Sequence, residues 1–368
     1  MEHLILADRQ TQKSRDLASL THPEYTENAL HTLMPFFKSE NACFLICKQN
    51  EVGSLFLSDS QSQGIASQAI TSPGIPSHGI AYHRDKETHC FSINSKKVRG
   101  PLIFLHLPSA SDNKLPQTSA TSLTRVTVEG ATPLTLVELY YHPAHFLGET
   151  TANAQFILQE NATLKHVQIQ KGSKKSKQIL HTTVAQRATS HYQGAVFAFD
   201  LLSGTTLLDI HLQAAFSKAE VYALMALKQV EEGQLFLTTY HEKPDCESKV
   251  ITRGLISDEA KGEFSGKIIV SEGAIQTRAK LENKNLLLSK QAEMTTRPFL
   301  EIYNDDVQCA HGATVGQLDG EALFYLNSRG IPEPMAKKML LEAFIQPVLS
   351  EIPSVARPYL EECLRDDA

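Results

Sequence analysis

The chain has 368 residues, of which 42% are hydrophobic and 21% charged, and a formal net charge of -6. That balance supports a substantial core and excludes wholesale disorder, while the acidic excess gives no footing for a nucleic-acid partner. No apolar run approaches the roughly 20 residues needed to cross a bilayer, and the start MEHLILADRQ lacks a basic segment leading into an apolar one. The expectation is a cytoplasmic protein with no membrane partner.

Near the N-terminus, Thr21 and Glu24 stand three residues apart with Pro23 between them, ahead of Tyr25, Ala29, Leu30, Leu33 and Met34 at helical spacing. This predicts a capped amphipathic helix. Residues 43–57 then read as two short apolar strands around a polar turn, and 58–80, rich in Ser, Gln, Gly and Pro, as an extended segment. Residues 1–122 thus form a mixed helical and irregular N-terminal region.

From 123 to 317, short apolar or alternating runs are separated by Gly, Asn, Asp and Lys, with no stretch of clear helical period. The region is predicted to be mainly β. Val221, Ala223, Met225 and Leu227 share one parity, and turns are expected at Glu232-Gly233 and Asn283-Lys284-Asn285. A sandwich and a parallel β-helix both fit. Weak self-similarity among AEVYALMALKQ, GEFSGKIIVSEG and NKNLLLSKQAEM favours the β-helix, each reading as one rung plus a turn without a strict repeat length.

After 318 the texture becomes helical, through to 368. Glu321 to Arg329 reads as a helix ending at Gly330, a residue that tolerates positive φ. Ala336, Leu340, Phe344 and Val348 form an apolar stripe at four-residue spacing, with Pro347 limiting its C-terminal end. Such a stripe must dock, either on its own β core or on a partner.

Few segments carry recognisable chemistry. Gly262 to Lys267 is one residue too short between its glycines for a phosphate loop, and Ile268 replaces the hydroxyl that would hold magnesium, so a turn feeding a strand is expected. Nucleophile elbows, zinc-helix motifs and dinucleotide fingerprints are missing, which disfavours the motif-readable enzymes. The six cysteines are scattered without a CxxC pair and read as free thiols, and the basic run Lys171 to Lys177 reads as a solvated turn. Cys309 and His311 differ: two residues apart on a strand they emerge from one face, close enough to share a metal but short of a full ligand set.

A longer match surrounds that pair. Asn285 to Ser289, Ala292-Glu293, Pro298 to Tyr303 and the run from Asp305 through Cys309-Ala-His-Gly-Ala-Thr314 to Asp319 resemble the signature of the SufB/SufD family of iron–sulfur cluster assembly. Glu321 to Ile331 continues it, and a weaker match reaches back through Gly262–Lys267, Gly254-Leu255, Asp245-Cys246 and Glu160 to Ala162. The Cys-Ala-His-Gly-Ala-Thr form is similar to the SufD branch. The resemblance implies a right-handed parallel β-helix with α-helical N- and C-terminal regions. It further implies a non-enzymatic scaffold that pairs with a SufB-like paralogue and binds a SufC-like ABC ATPase.

Carried onto this chain, the resemblance makes His311 the interface residue and Cys309 its neighbour, with a nascent iron–sulfur cluster at the paralogue interface and no cofactor held stably by this chain alone. The helical region 318–368 would receive the ATPase, with Leu323, Tyr325, Arg329, Gly330, Leu340 and Phe344 as the contacting residues. In the paralogue's absence the lateral face could pair with itself as a homodimer. Two other functions fit a β-helix: a polysaccharide-acting enzyme, whose best carboxylate pair is Asp305-Asp306, and an interaction scaffold without a metal role. Adjacent strand residues point to opposite faces, so a turn is the better reading of that pair.

Overall fold

The structure is a computed structural model that describes residues 79–365 except 86–87, 99, 107–117 and 143–145, together with the backbone of three short earlier strands. The strands run in chain order as β1 (Cys43–Cys47), β2 (Val52–Phe56), β3 (Ser67–Ala69), β4 (Ile80–Asp85), β5 (Thr88–Asn94), β6 (Leu102–His106), β7 (Thr118–Glu129), β8 (Leu134–Tyr141), β9 (Glu149–Leu158), β10 (Thr163–Lys171), β11 (Lys177–Gln186), β12 (His191–Phe199), β13 (Ser203–Leu212), β14 (Lys218–Leu227), β15 (Glu232–His241), β16 (Glu247–Ile256), β17 (Lys261–Val270), β18 (Thr277–Leu287), β19 (Glu293–Ile302) and β20 (Val307–Gly316). Three helices follow: α1 (Gly320–Ser328), α2 (Glu333–Leu349) and α3 (Arg357–Arg365).

From β5 onward successive strands alternate between two sheets, and each pairs in parallel with the strand two places away. The chain therefore winds as a parallel β-helix of about seven turns. Lys177 lies beside Ser203, a step of 26 residues, and Lys261 beside Glu293, a step of 32, so the turn length varies as the absence of a strict repeat predicts. Strict alternation makes this work: in β13, β15 and β17 every second residue is buried. Val221, Ala223, Met225 and Leu227 all point inward, as their shared parity implies.

A second apolar cluster lies outside the solenoid. Val137, Leu139, Val167, Ile169, Phe197, Tyr222 and Leu224 cover the outer face of the larger sheet, and Ile345, Val348, Ile352, Tyr359, Leu360 and Cys363 close over them. The stripe on α2 thus docks on its own β core, against β14 and β16. Asp319 caps α1 by accepting hydrogen bonds from the amides of Glu321 and Ala322, and Gly330 ends the turn at φ +85°.

Several expectations need correction. The β-helix begins well before residue 123, because β5 and β6 already belong to its two sheets; these strands are only seven and five residues long, with the turn Ser95-Lys96-Lys97 after the first, too short for a clear alternating pattern. Asn283-Lys284-Asn285 is mid-strand in β18, and the two asparagines are inward and fully buried. Gly262 and Gly266 also face inward within β17, where a Cβ would meet Met294 Sδ at 2.5 Å and Leu281 Cδ1 at 2.4 Å. The turn near Glu232-Gly233 falls at Gln229–Val230, so Gly233 is the first inward residue of β15. Two turn readings hold: Lys174-Lys175 links β10 to β11, and Asp305-Asp306 links β19 to β20. The helix expected around 21–34 and most of the segment 58–80 lie outside the described residues.

Candidate functional site at the open end of the solenoid

β20 is the last strand of the larger sheet, and among the described residues β18 is its one pairing partner. Cys309 lies beside Ala279, His311 beside Leu281 and Ala313 beside Asn283. Those three partners are buried inside the helix, so Cys309 and His311 do share a face, and it is the lumenal face. Among the described residues no further coil stacks on it. His311 is therefore exposed at the mouth of the lumen, while Cys309 is half-buried and packs against the inner core.

The two side chains are not chemically equal. Burial pushes the Cys309 thiol above its ordinary value, with a partial offset from a backbone hydrogen bond at Ala279. In the isolated chain the sulfur is a protonated thiol at neutral pH and a weak donor. Among the described residues no group of three or more His, Cys, Asp or Glu side chains is placed to hold a metal ion. A thiol and an imidazole are chemically suited to iron, but two donors are fewer than an iron–sulfur site needs, so this pair could serve one only with donors from beyond the described residues.

The mouth is lined opposite by Met294, Thr296, Pro298 and Leu300 of β19, all half-exposed. Val315 is 42% exposed, and Ile302 and Tyr303 are also exposed there, while Phe299 is exposed on the outer face of β19. Just beneath it lies a polar clamp: Asn283 Nδ2 donates to Thr252 Oγ1 at 2.6 Å, Asn285 Nδ2 donates to Asn283 Oδ1 at 2.6 Å and to the Thr314 carbonyl at 3.1 Å, and Thr296 Oγ1 donates to Asn283 Oδ1 at 2.8 Å. Gly254 leaves the space for it, since a Cβ there would lie 2.3 Å from Asn285 Oδ1. The sequence reading missed this clamp, although two asparagines at i and i+2 share a strand face by parity alone.

The helical residues divide. Tyr325 is 56% exposed, and Arg329 hydrogen-bonds its hydroxyl at 3.0 Å; Gly330 is exposed as well. Leu323 and Leu340 are half-buried, and Phe344 packs into the outer cluster against the chain's own sheet. The most open apolar side chains are ones not singled out: Phe324 at 74%, Met335 and Met339. A second buried polar group sits deep in the lumen, where Glu138 accepts hydrogen bonds from His106 and His166, and Tyr192 meets His166 Nδ1 at 3.0 Å. None of the described helices is long and apolar enough to cross a membrane.

The SUF system FeS cluster assembly SufBD core domain matches residues 110–344. The iron-sulfur cluster assembly protein SufD of Escherichia coli is 30% identical over 70% of this chain and 60% of its own length. A SufBD family protein of Synechocystis is 34% identical over 54% of this chain and 44% of its own, and SufD of Bacillus subtilis 36% over 33% and 28%. The chain thus spans less than two thirds of the length of these relatives. The span 110–344 takes in β7 through β20, the half-buried Cys309, the exposed His311 and most of α2. Most of the β-helix and the Cys309–His311 strand lie within the matched region, and the chain belongs to the SufB/SufD family of the SUF iron–sulfur cluster assembly system.

Proposed function

We propose that this chain is a non-enzymatic, cytoplasmic scaffold subunit of SUF cluster assembly. It pairs with a SufB-type paralogue through the open coil end and receives a SufC-type ATPase on the outward side of α1 and α2. The observation that carries the reading is the outer edge of β20, unpaired among the described residues, which sets an exposed His311 and a half-buried Cys309 on one lumenal face with no further metal-ligating group described beside them. An edge strand offers unmet N–H and C=O groups to a second sheet, and an incomplete donor set needs a second chain.

The helical module suits an ATPase contact because Phe324 and Tyr325 of α1 and Met335 and Met339 of α2 are large apolar side chains that the β core leaves exposed. Gly262 to Lys267, the segment nearest in form to a phosphate loop, is part of a strand. A nascent cluster is cargo in this reading and is not stably held by this chain alone.

Co-expression of the tagged chain with SufB-type and SufC-type proteins of its source, followed by subunit and iron analysis, tests the reading. Co-purification of both partners is expected, with iron–sulfur content lost in His311→Ala and subunit ratio unchanged. Retention of the partners with full iron content in His311→Ala would leave a scaffold without a metal role. Failure to retain either partner removes the proposal.

A further inference from the structure

Arg253 on β16 is only 4% exposed, yet it sits on the outer face of the sheet beneath α2. A buried guanidinium must spend its donors on the protein, and this one does: Nε donates to the Phe344 carbonyl at 3.1 Å, Nη1 to the Thr252 carbonyl at 3.0 Å and Nη2 to Glu282 Oε1 at 2.7 Å. Its fork also lies over the Phe344 ring, 5.5 Å from the centroid. One side chain therefore joins helix α2, its own strand β16 and the neighbouring strand β18.

The tie reaches α2 where the helix is weakest. Pro347 has no N–H, so the turn holding Phe344 loses an internal hydrogen bond. Apolar packing of Phe344, Ile345 and Val348 holds the helix down but does not fix its position along the sheet, because the hydrophobic effect is non-directional. The planar fork does fix it.

From Arg253 two routes lead to the strand bearing Cys309 and His311. On the outer face Glu282 lies in register with Gly312, next to the Leu281–His311 pair. Lys280 and Lys284 also approach Glu282, at 3.8 and 3.5 Å, but both are largely exposed and contribute little beside the buried guanidinium. On the lumenal face Thr252, whose carbonyl Arg253 holds, starts the chain of hydrogen bonds through Asn283 and Asn285 to the Thr314 carbonyl of β20.

We infer that Arg253 is a positioning residue that couples the seat of α2 to the placement of β20. A ligand that shifts α2 would change the hold on Glu282 and Thr252, and with it the strand carrying His311. Its meaning for cluster assembly rests on the function proposed above; the coupling itself does not.

Hydrogen exchange of the full chain, followed peptide by peptide, tests this for Arg253→Met, Arg253→Lys and Glu282→Gln. Arg253→Met is expected to raise exchange about tenfold or more both in α2 around Phe344 and in β18–β20 around His311, with β10–β12 unchanged. Glu282→Gln, which leaves the hold on Phe344, should raise exchange around His311 while α2 stays within about twofold of the parent. Arg253→Lys keeps the charge beside Glu282 but cannot span to the helix, so it should loosen α2 alone. The inference is overturned if Arg253→Met loosens only α2, or if both Arg253 variants loosen β10–β12 as much as β20, the mark of general destabilisation. No partner is needed, so failure here leaves the cluster-assembly reading standing, and failure of that reading leaves this result intact.

Discussion

Glu138 is fully buried and would be raised by burial alone, yet hydrogen bonds from His106 and His166 hold its carboxyl at about 2. His142 and His241 are in the opposite position: each has one nitrogen hydrogen-bonded to a hydroxyl and one buried nitrogen without a partner. Burial lowers them from 6.5 to about 3 and about 4, so they fold neutral. Protons therefore bind the unfolded chain first, and the stability these groups contribute is complete above about pH 6.5 and drains as pH falls. Each histidine accounts for up to about 1.4 kcal/mol per pH unit between 6.5 and its lowered value, with Glu138 adding to the loss below about 4.5. Urea unfolding across pH 7 to 4 should show a midpoint that declines steadily. A His142→Gln/His241→Gln double variant should decline much less over that window, and an equal slope would exclude these two residues as the source.

Among the elements, α3 makes the clearest case for what holds the C-terminal module in place. Tyr359, Leu360 and Cys363 are buried against the outer face of the larger sheet, along with Ile352 and Ala356 of the preceding turn. Leu360→Asp places a carboxylate in that seam at a cost of roughly 3 kcal/mol or more, enough to unseat a nine-residue helix without unfolding the solenoid. Thiol labelling reads this directly: Cys363 should become reactive in the variant while Cys246, buried inside the helix, stays protected. Labelling of both would mean global unfolding. The same elements mark how much the sequence discloses. Parity along β14 gave its inward face, and i, i+2 spacing put Cys309 and His311 together. The four-residue stripe on α2 identified an apolar face but not what covers it, which depends on Tyr222 and Leu224 more than a hundred residues away. Asn283 and Asn285 read as a turn because asparagine usually ends strands. Only the fold brings Thr252, Thr296 and the Thr314 carbonyl within reach of their amides.

On the scale of the whole molecule, a solenoid satisfies its backbone everywhere except at its ends, and its stability is close to a sum of neighbouring coil contacts. At the end described here, β19 and β20 present edges that no described strand pairs, side by side with the exposed Ile302, Val315 and Tyr303. Exposed edges with apolar rims invite pairing with another chain. For the isolated protein the available partner is a second copy, and a two-fold contact would use each rim residue twice, once from either copy. A charge introduced there counts twice, because both copies would bury it. Light scattering coupled to size exclusion should thus find a dimer for the parent chain and a monomer for an Ile302→Lys/Val315→Lys variant, with circular dichroism spectra alike because both side chains are exposed in the single chain. A variant that remains dimeric would place self-association elsewhere on the surface, and a parent that is monomeric would mean that the open end waits for a different coil.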